Sequence, residues 1–133
     1  MLSHARIAIS LVVVAATLAA GALMYALDQE KRTRRAVAMT GGDPKHGPQI
    51  IARYGCAACH EIPGASLPGG HAAVSLAGVA ERLYLGGAVA NTPGNLIGWI
   101  VNPKQFDPKT AMPVTGIGQI EARDVAAYLY ALR

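Results

Sequence analysis

Cysteine is scarce in this chain. There are two, Cys56 and Cys59, only two residues apart. A disulfide between them would close a loop too short to staple a fold. Aromatic residues are few as well, with one Trp and one Phe in 133 residues. No stretch alternates apolar and polar residues as a half-buried strand would, and no internal repeat is present. A sheet protein is therefore not expected. Nor is there a basic stripe or an aromatic platform for nucleic acid. Of the formal net charge of +4, half comes from residues 28–35, which hold four basic and two acidic side chains, whereas residues 36–133 hold seven and six.

What is present is concentrated in Gly55-Cys56-Ala57-Ala58-Cys59-His60. Cys-x-x-Cys-His is the attachment pattern of c-type haem. Two intervening residues in a helical turn set the two thiols about as far apart as the two vinyl groups of one porphyrin. The following histidine then offers a neutral ring nitrogen to the iron. A thioredoxin-like redox pair would need a strand before the motif and a helix after it, within a βαβ unit. Zinc would need further ligands, and His4, His46 and His71 form no second pair. Haem is the reading that uses all three residues.

Residues 7–27 are 21 consecutive residues without a charge. As a helix they would be roughly 32 Å long, enough to cross a bilayer core. A signal peptide has a shorter apolar region, about 7–15 residues, although Ala20-Gly21-Ala22 does resemble a cleavage site. The expected organisation is an anchor with a basic collar over residues 1–35, a linker over 36–42 and one domain over 43–133. Gly41, Gly42 and Pro44 mark that linker.

Within the domain, a helix is expected from about residue 43 or 44 to Tyr54, with Asp43 as its N-cap. Residues 61–80 read mostly as loop, with a short helix around 76–83, and residues 86–93 as loop again. Asn91-Thr92-Pro93 supplies a cap and a first-turn proline for a helix that should stop before Pro103. After a loop over 105–115, residues 119–132 form the clearest soluble helix. Val125, Tyr128, Leu129 and Leu132 fall on one stripe there, with Gly118 as N-cap and Glu121 in the capping-box position.

Across residues 41–133 the chain resembles a class I c-type cytochrome. Gly47 to His60 matches that family's opening helix and haem motif, and Ala126-Ala127-Tyr128-Leu129 its closing helix. The resemblance implies an all-α fold, with about three helices around one covalently bound haem c. It implies that Gly47 lets the last helix cross closely at Tyr128, beside Ile51 and Val125. It also implies a methionine as sixth iron ligand, on a loop before the last helix, which fits Ala111-Met112-Pro113. His71 is the rival ligand. The metal ligands would then be His60 and Met112.

Asn91 to Pro103 is similar to the cytochrome c domain of haem–copper oxidase subunit II. That likeness implies Trp99 and Arg82 near the haem propionates. The family pattern usually has Gly-Pro where this chain has Ala73-Val74. There the proline carbonyl holds the histidine Nδ1 proton, so in this chain the bond would fall to Val74.

The resemblance thus implies a single-electron carrier, not an enzyme, working in a respiratory chain and donating to a haem–copper oxidase or exchanging with a cytochrome bc complex. The alternative is a fixed electron-entry subunit of such a complex, with Ala15, Ala19 and Gly21 or Ala22 as small packing residues in the anchor. A haem enzyme or gas sensor would need a displaceable sixth ligand. Counting charges around the apolar run would leave the domain in the cytoplasm. Covalent haem attachment, which in bacteria takes place outside the cytoplasmic membrane, places it on the periplasmic side. No small-molecule substrate is expected.

Overall fold

A 39-residue helix, α1 (Leu2–Thr40), opens the computed structural model, which describes residues 2–65 and 70–132. The chain divides into two compact units, residues 1–31 and 32–133. In the first, Ile7, Leu11, Val14, Leu18 and Leu23 are all exposed. Two of its hydroxyls are satisfied within the helix, Ser10 Oγ donating to the Arg6 carbonyl at 3.0 Å and Thr17 Oγ1 to that of Val14 at 2.8 Å. That is how a helix keeps polar groups in an apolar setting. The helix is long and apolar enough to cross a membrane, with a mean hydropathy of 2.4 over its most apolar window. A signal sequence passes the same test.

The second unit is built on α4 (Gln119–Ala131), against which α2 (Gly47–Arg53) and α3 (Pro93–Val101) both pack. Ile50 and Ile51 from α2, Leu96, Ile97 and Ile100 from α3, and Val125, Ala126 and Leu129 from α4 form the core. Ile62, Val79, Leu85 and Ile117 close it from the connecting segments. The all-α expectation is borne out.

Several local expectations are corrected. No linker occupies residues 36–40: α1 runs on to Thr40, with Ala36 and Thr40 buried. The second compact unit begins at Arg32, ahead of residue 43. Two small residues one turn apart give a flat face that packs closely. The end of the helix is closed by Thr40 Oγ1, which donates to the Ala36 carbonyl at 2.8 Å and accepts from Gly42 N at 3.2 Å, and by Arg123 Nη1, which reaches the Thr40 carbonyl at 3.4 Å.

Asp43 does not cap α2, which starts four residues later. Its Oδ1 instead accepts from Lys45 N at 2.9 Å, forming a turn. Pro48 explains the late start: it lacks an N–H and would clash with the fourth carbonyl back, so it must lie in the first turn. The helix expected near 76–83 is only a 3₁₀ turn, Val79–Glu81. Within the loop expected at 86–93 lies half of a minimal antiparallel pair, β1 (Tyr84–Leu85) and β2 (Val89–Ala90). Residues 66–69 of the expected 61–80 loop lie outside the described residues.

Other boundaries follow the sequence. Thr92 caps α3, its hydroxyl accepting from Asn95 N at 3.2 Å. Gly118 is the N-cap of α4. Glu121, however, does not turn back to cap its own helix. It reaches α2 and its neighbour, holding Arg53 Nη1 at 2.5 Å and the Tyr54 hydroxyl at 2.6 Å. Two donors on a facing element outcompete one backbone N–H.

Candidate haem site

The end of α2 positions the motif. Gly55 has φ +69°, a left-handed conformation that lets the chain leave the helix abruptly. A 3₁₀ turn over Cys56–Ala58 follows. Backbone bonds from Cys59 N at 3.3 Å and His60 N at 3.0 Å to the Cys56 carbonyl bring both thiols and the imidazole onto one turn. Both cysteines are free; Cys56 is half-buried, Cys59 is exposed, and Ala57 between them is buried. Burial pushes the Cys56 thiol up, which keeps it protonated.

His60 Nδ1 lies 2.8 Å from the Val74 carbonyl oxygen. A carbonyl can only accept, so Nδ1 carries the proton, and in the neutral ring Nε2 keeps its lone pair. This is the tautomer an axial ligand needs, oriented by a backbone group. The bond survives without proline at position 74, because any residue supplies the carbonyl.

The segment after the motif is laced back onto it. Gly70 N donates to the Ala57 carbonyl at 2.8 Å, Ala73 N to that of Cys59 at 3.0 Å, and Leu76 N to that of Glu61 at 2.8 Å. Arg82 Nη2 donates to the carbonyls of Ser75 and Ala77, the latter at 3.2 Å. Asn91, read from sequence only as part of a cap, joins three elements. Its Nδ2 donates to the carbonyls of Val79 at 2.7 Å and Arg82 at 2.9 Å, while Oδ1 accepts from the Tyr130 hydroxyl at 2.7 Å. Burial pushes the Tyr130 phenol up to about 12.

Cys56, Cys59, His60 and Arg82 therefore belong to one connected neighbourhood. Met112 is half-buried in the irregular segment before α4, its N–H donating to Thr110 Oγ1 at 3.3 Å. Trp99, on α3, stacks obliquely on Phe106 with ring centroids 5.9 Å apart, and so touches the start of that segment. His71 is exposed. Among the described residues, no three His, Cys, Asp or Glu side chains gather as they would around a zinc ion.

Two free thiols on one turn and an adjacent imidazole with an available Nε2 make a donor set that fits haem c. The family model for cytochrome c matches residues 44–133. No individual curated protein matches the chain.

Proposed function

The chain belongs to the cytochrome c family, whose domain is a haem-based electron carrier, and from that premise we propose a membrane-tethered monohaem cytochrome that passes single electrons along a respiratory chain to a terminal oxidase. The observation that carries the electron-transfer role is the His60 Nδ1–Val74 contact at 2.8 Å, on the turn that holds both thiols.

Cys56 and Cys59 would hold haem c through two thioethers, and His60 Nε2 and the Met112 sulfur would ligate its iron. When bound, the haem supplies a one-electron iron couple. The protein's own contribution is geometric and electrostatic. The Val74 carbonyl fixes the ring of His60 and its tautomer. A thioether from Met112 would favour the ferrous state and raise the potential, which would suit an electron donor to an oxidase. Ile51, Leu96, Ile97 and Leu129, all buried, keep water from the apolar side of the domain. Arg82 and Trp99 are the proposed donors to the propionates: Arg82 commits one guanidinium nitrogen to backbone carbonyls and retains the other, and the indole offers one N–H. With His60 and Met112 both committed to the iron, no open position would be left for a substrate.

The apolar part of α1, residues 7–27, is the proposed anchor, with the haem domain on the periplasmic side. Its length and exposed apolar side chains support this. Acid–acetone extraction followed by a denaturing gel tests the attachment, and a potentiometric titration tests the carrier role. Haem that stays on the polypeptide and titrates reversibly as a single one-electron centre is expected. Complete loss of haem to the solvent, or a centre that binds carbon monoxide readily in the native protein, would overturn the reading.

A further inference from the structure

The Val74 carbonyl can direct His60 only if its peptide plane is held still. A proline at position 74 would fix one backbone torsion there, but this chain has valine. Its N–H makes no hydrogen bond among the described residues, and the residue is 63 % exposed. Neither ring closure nor packing stiffens the residue.

Two backbone bonds pin the flanks, Ala73 N to the Cys59 carbonyl and Leu76 N to the Glu61 carbonyl. Between them the Val74–Ser75 plane has no backbone bond, and the Ser75–Leu76 plane, held at the Leu76 N–H alone, can still rock about that bond. Arg82 removes that freedom by binding the Ser75 and Ala77 carbonyls with one nitrogen. Its backbone is in turn held by Asn91, which Tyr130 of α4 anchors. A chain of hydrogen bonds thus runs from the buried face of α4 to the Ser75 carbonyl, in the peptide unit next to the one whose carbonyl receives the His60 proton.

We propose that Arg82 is a positioning residue for His60: it clamps the 75–77 carbonyls and so supplies the stiffness that a proline at position 74 would otherwise give. This rests on His60 being the axial ligand, and it is a separate task from any contact with a propionate. A propionate contact depends on the cation alone. The clamp depends on a planar nitrogen with two hydrogens aimed at two carbonyls, which lysine does not reproduce.

The test follows the His60 Nδ1 proton by NMR in the assembled protein. In Arg82→Gln its exchange with solvent should quicken by about tenfold, the order that loss of a hydrogen bond to a charged donor produces. Arg82→Lys, which keeps the charge, should quicken likewise. Adding Val74→Pro to either variant should restore the slow exchange to within about twofold of the wild type, because proline stiffens the loop without removing a hydrogen bond. Unchanged exchange in Arg82→Gln would overturn the proposal. So would wild-type exchange in Arg82→Lys, or failure of Val74→Pro to restore it. Should Val74→Pro prevent assembly, the amide exchange of Ala73 and Leu76 in the two Arg82 variants takes its place, and protection equal to wild type there sinks the clamp. Absence of iron-shifted His60 ring resonances from the wild-type protein would instead sink the axial-ligand reading beneath it.

Discussion

Gly47 of α2 lies directly against Tyr128 of α4: a Cβ added to the glycine would stand 2.3 Å from the tyrosine Cβ and 2.7 Å from its Cγ. Those atoms sit at the root of the side chain and cannot swing away. The crossing is locked from the far side too, where the Tyr128 hydroxyl donates to the Pro63 carbonyl at 2.7 Å. Tyr128 thus ties α4 both to α2 and to the segment after the haem motif. Because Ile51 and Val125 are buried beside it, the crossing holds the element that leads into Cys56.

Gly47→Ala should force the two helices apart and destabilise the folded domain by about 1–3 kcal/mol, the usual cost of overpacking a tight contact. Denaturant unfolding followed by far-ultraviolet circular dichroism measures it. A midpoint equal to wild type would mean that the helices can separate freely.

Tyr130 gives a pH dependence with a definite sign. Its phenol, buried and bonded to Asn91, is pushed up to about 12, against about 10 in an unfolded chain. The native state therefore holds the proton more tightly. The stability this contributes is complete below about pH 10 and is lost as pH rises through about 12. Tyr130→Phe should flatten the fall in stability across that window, while costing about 1 kcal/mol at neutral pH through the lost hydrogen bond. Unfolding midpoints across the alkaline range, with tyrosinate absorbance alongside, check both parts.

The boundary at Arg32 is tested by truncation. A chain that begins at residue 32 behind a cleavable signal should fold with wild-type stability. One that begins at residue 42 loses the buried Ala36 and Thr40 and the contact of Arg123 with the Thr40 carbonyl. It should be less stable by about 1–2 kcal/mol, from roughly 0.8 kcal/mol per buried methyl group. Equal stabilities would return residues 36–40 to the status of a linker. An intact mass of the native protein that includes residues 7–27 would support the anchor, whereas a chain beginning near Leu23 would make the segment a signal peptide.

The parts legible from sequence were those with local causes. Cys56-x-x-Cys59-His60 announces its chemistry through spacing alone, and Thr92-Pro93 together with Pro103 bounds α3 through cap and proline sterics. The Gly47–Tyr128 crossing came from family likeness, which the helix geometry bears out. What stayed hidden depends on partners distant in sequence. Nothing near Asn91 says that its amide will bind two carbonyls and a tyrosine, and nothing near Glu121 says that Arg53 and Tyr54 will draw it from its cap. The pairing of β1 with β2 is too short to show an alternation. Ala36 and Thr40 read as the start of a linker because the glycines just after them drew the boundary, while the core that buries them is assembled from residues further along the chain.

The proposed ligation of the iron by His60 and Met112 is most directly tested by the weak near-infrared sulfur-to-iron band of the oxidised protein. The wild type should show it, and Met112→Ala should lose it, keep its covalent haem and gain an affinity for external ligands such as azide. A wild-type protein without the band, whose spectrum changes instead in His71→Ala, would contradict the account and make the centre bis-histidine.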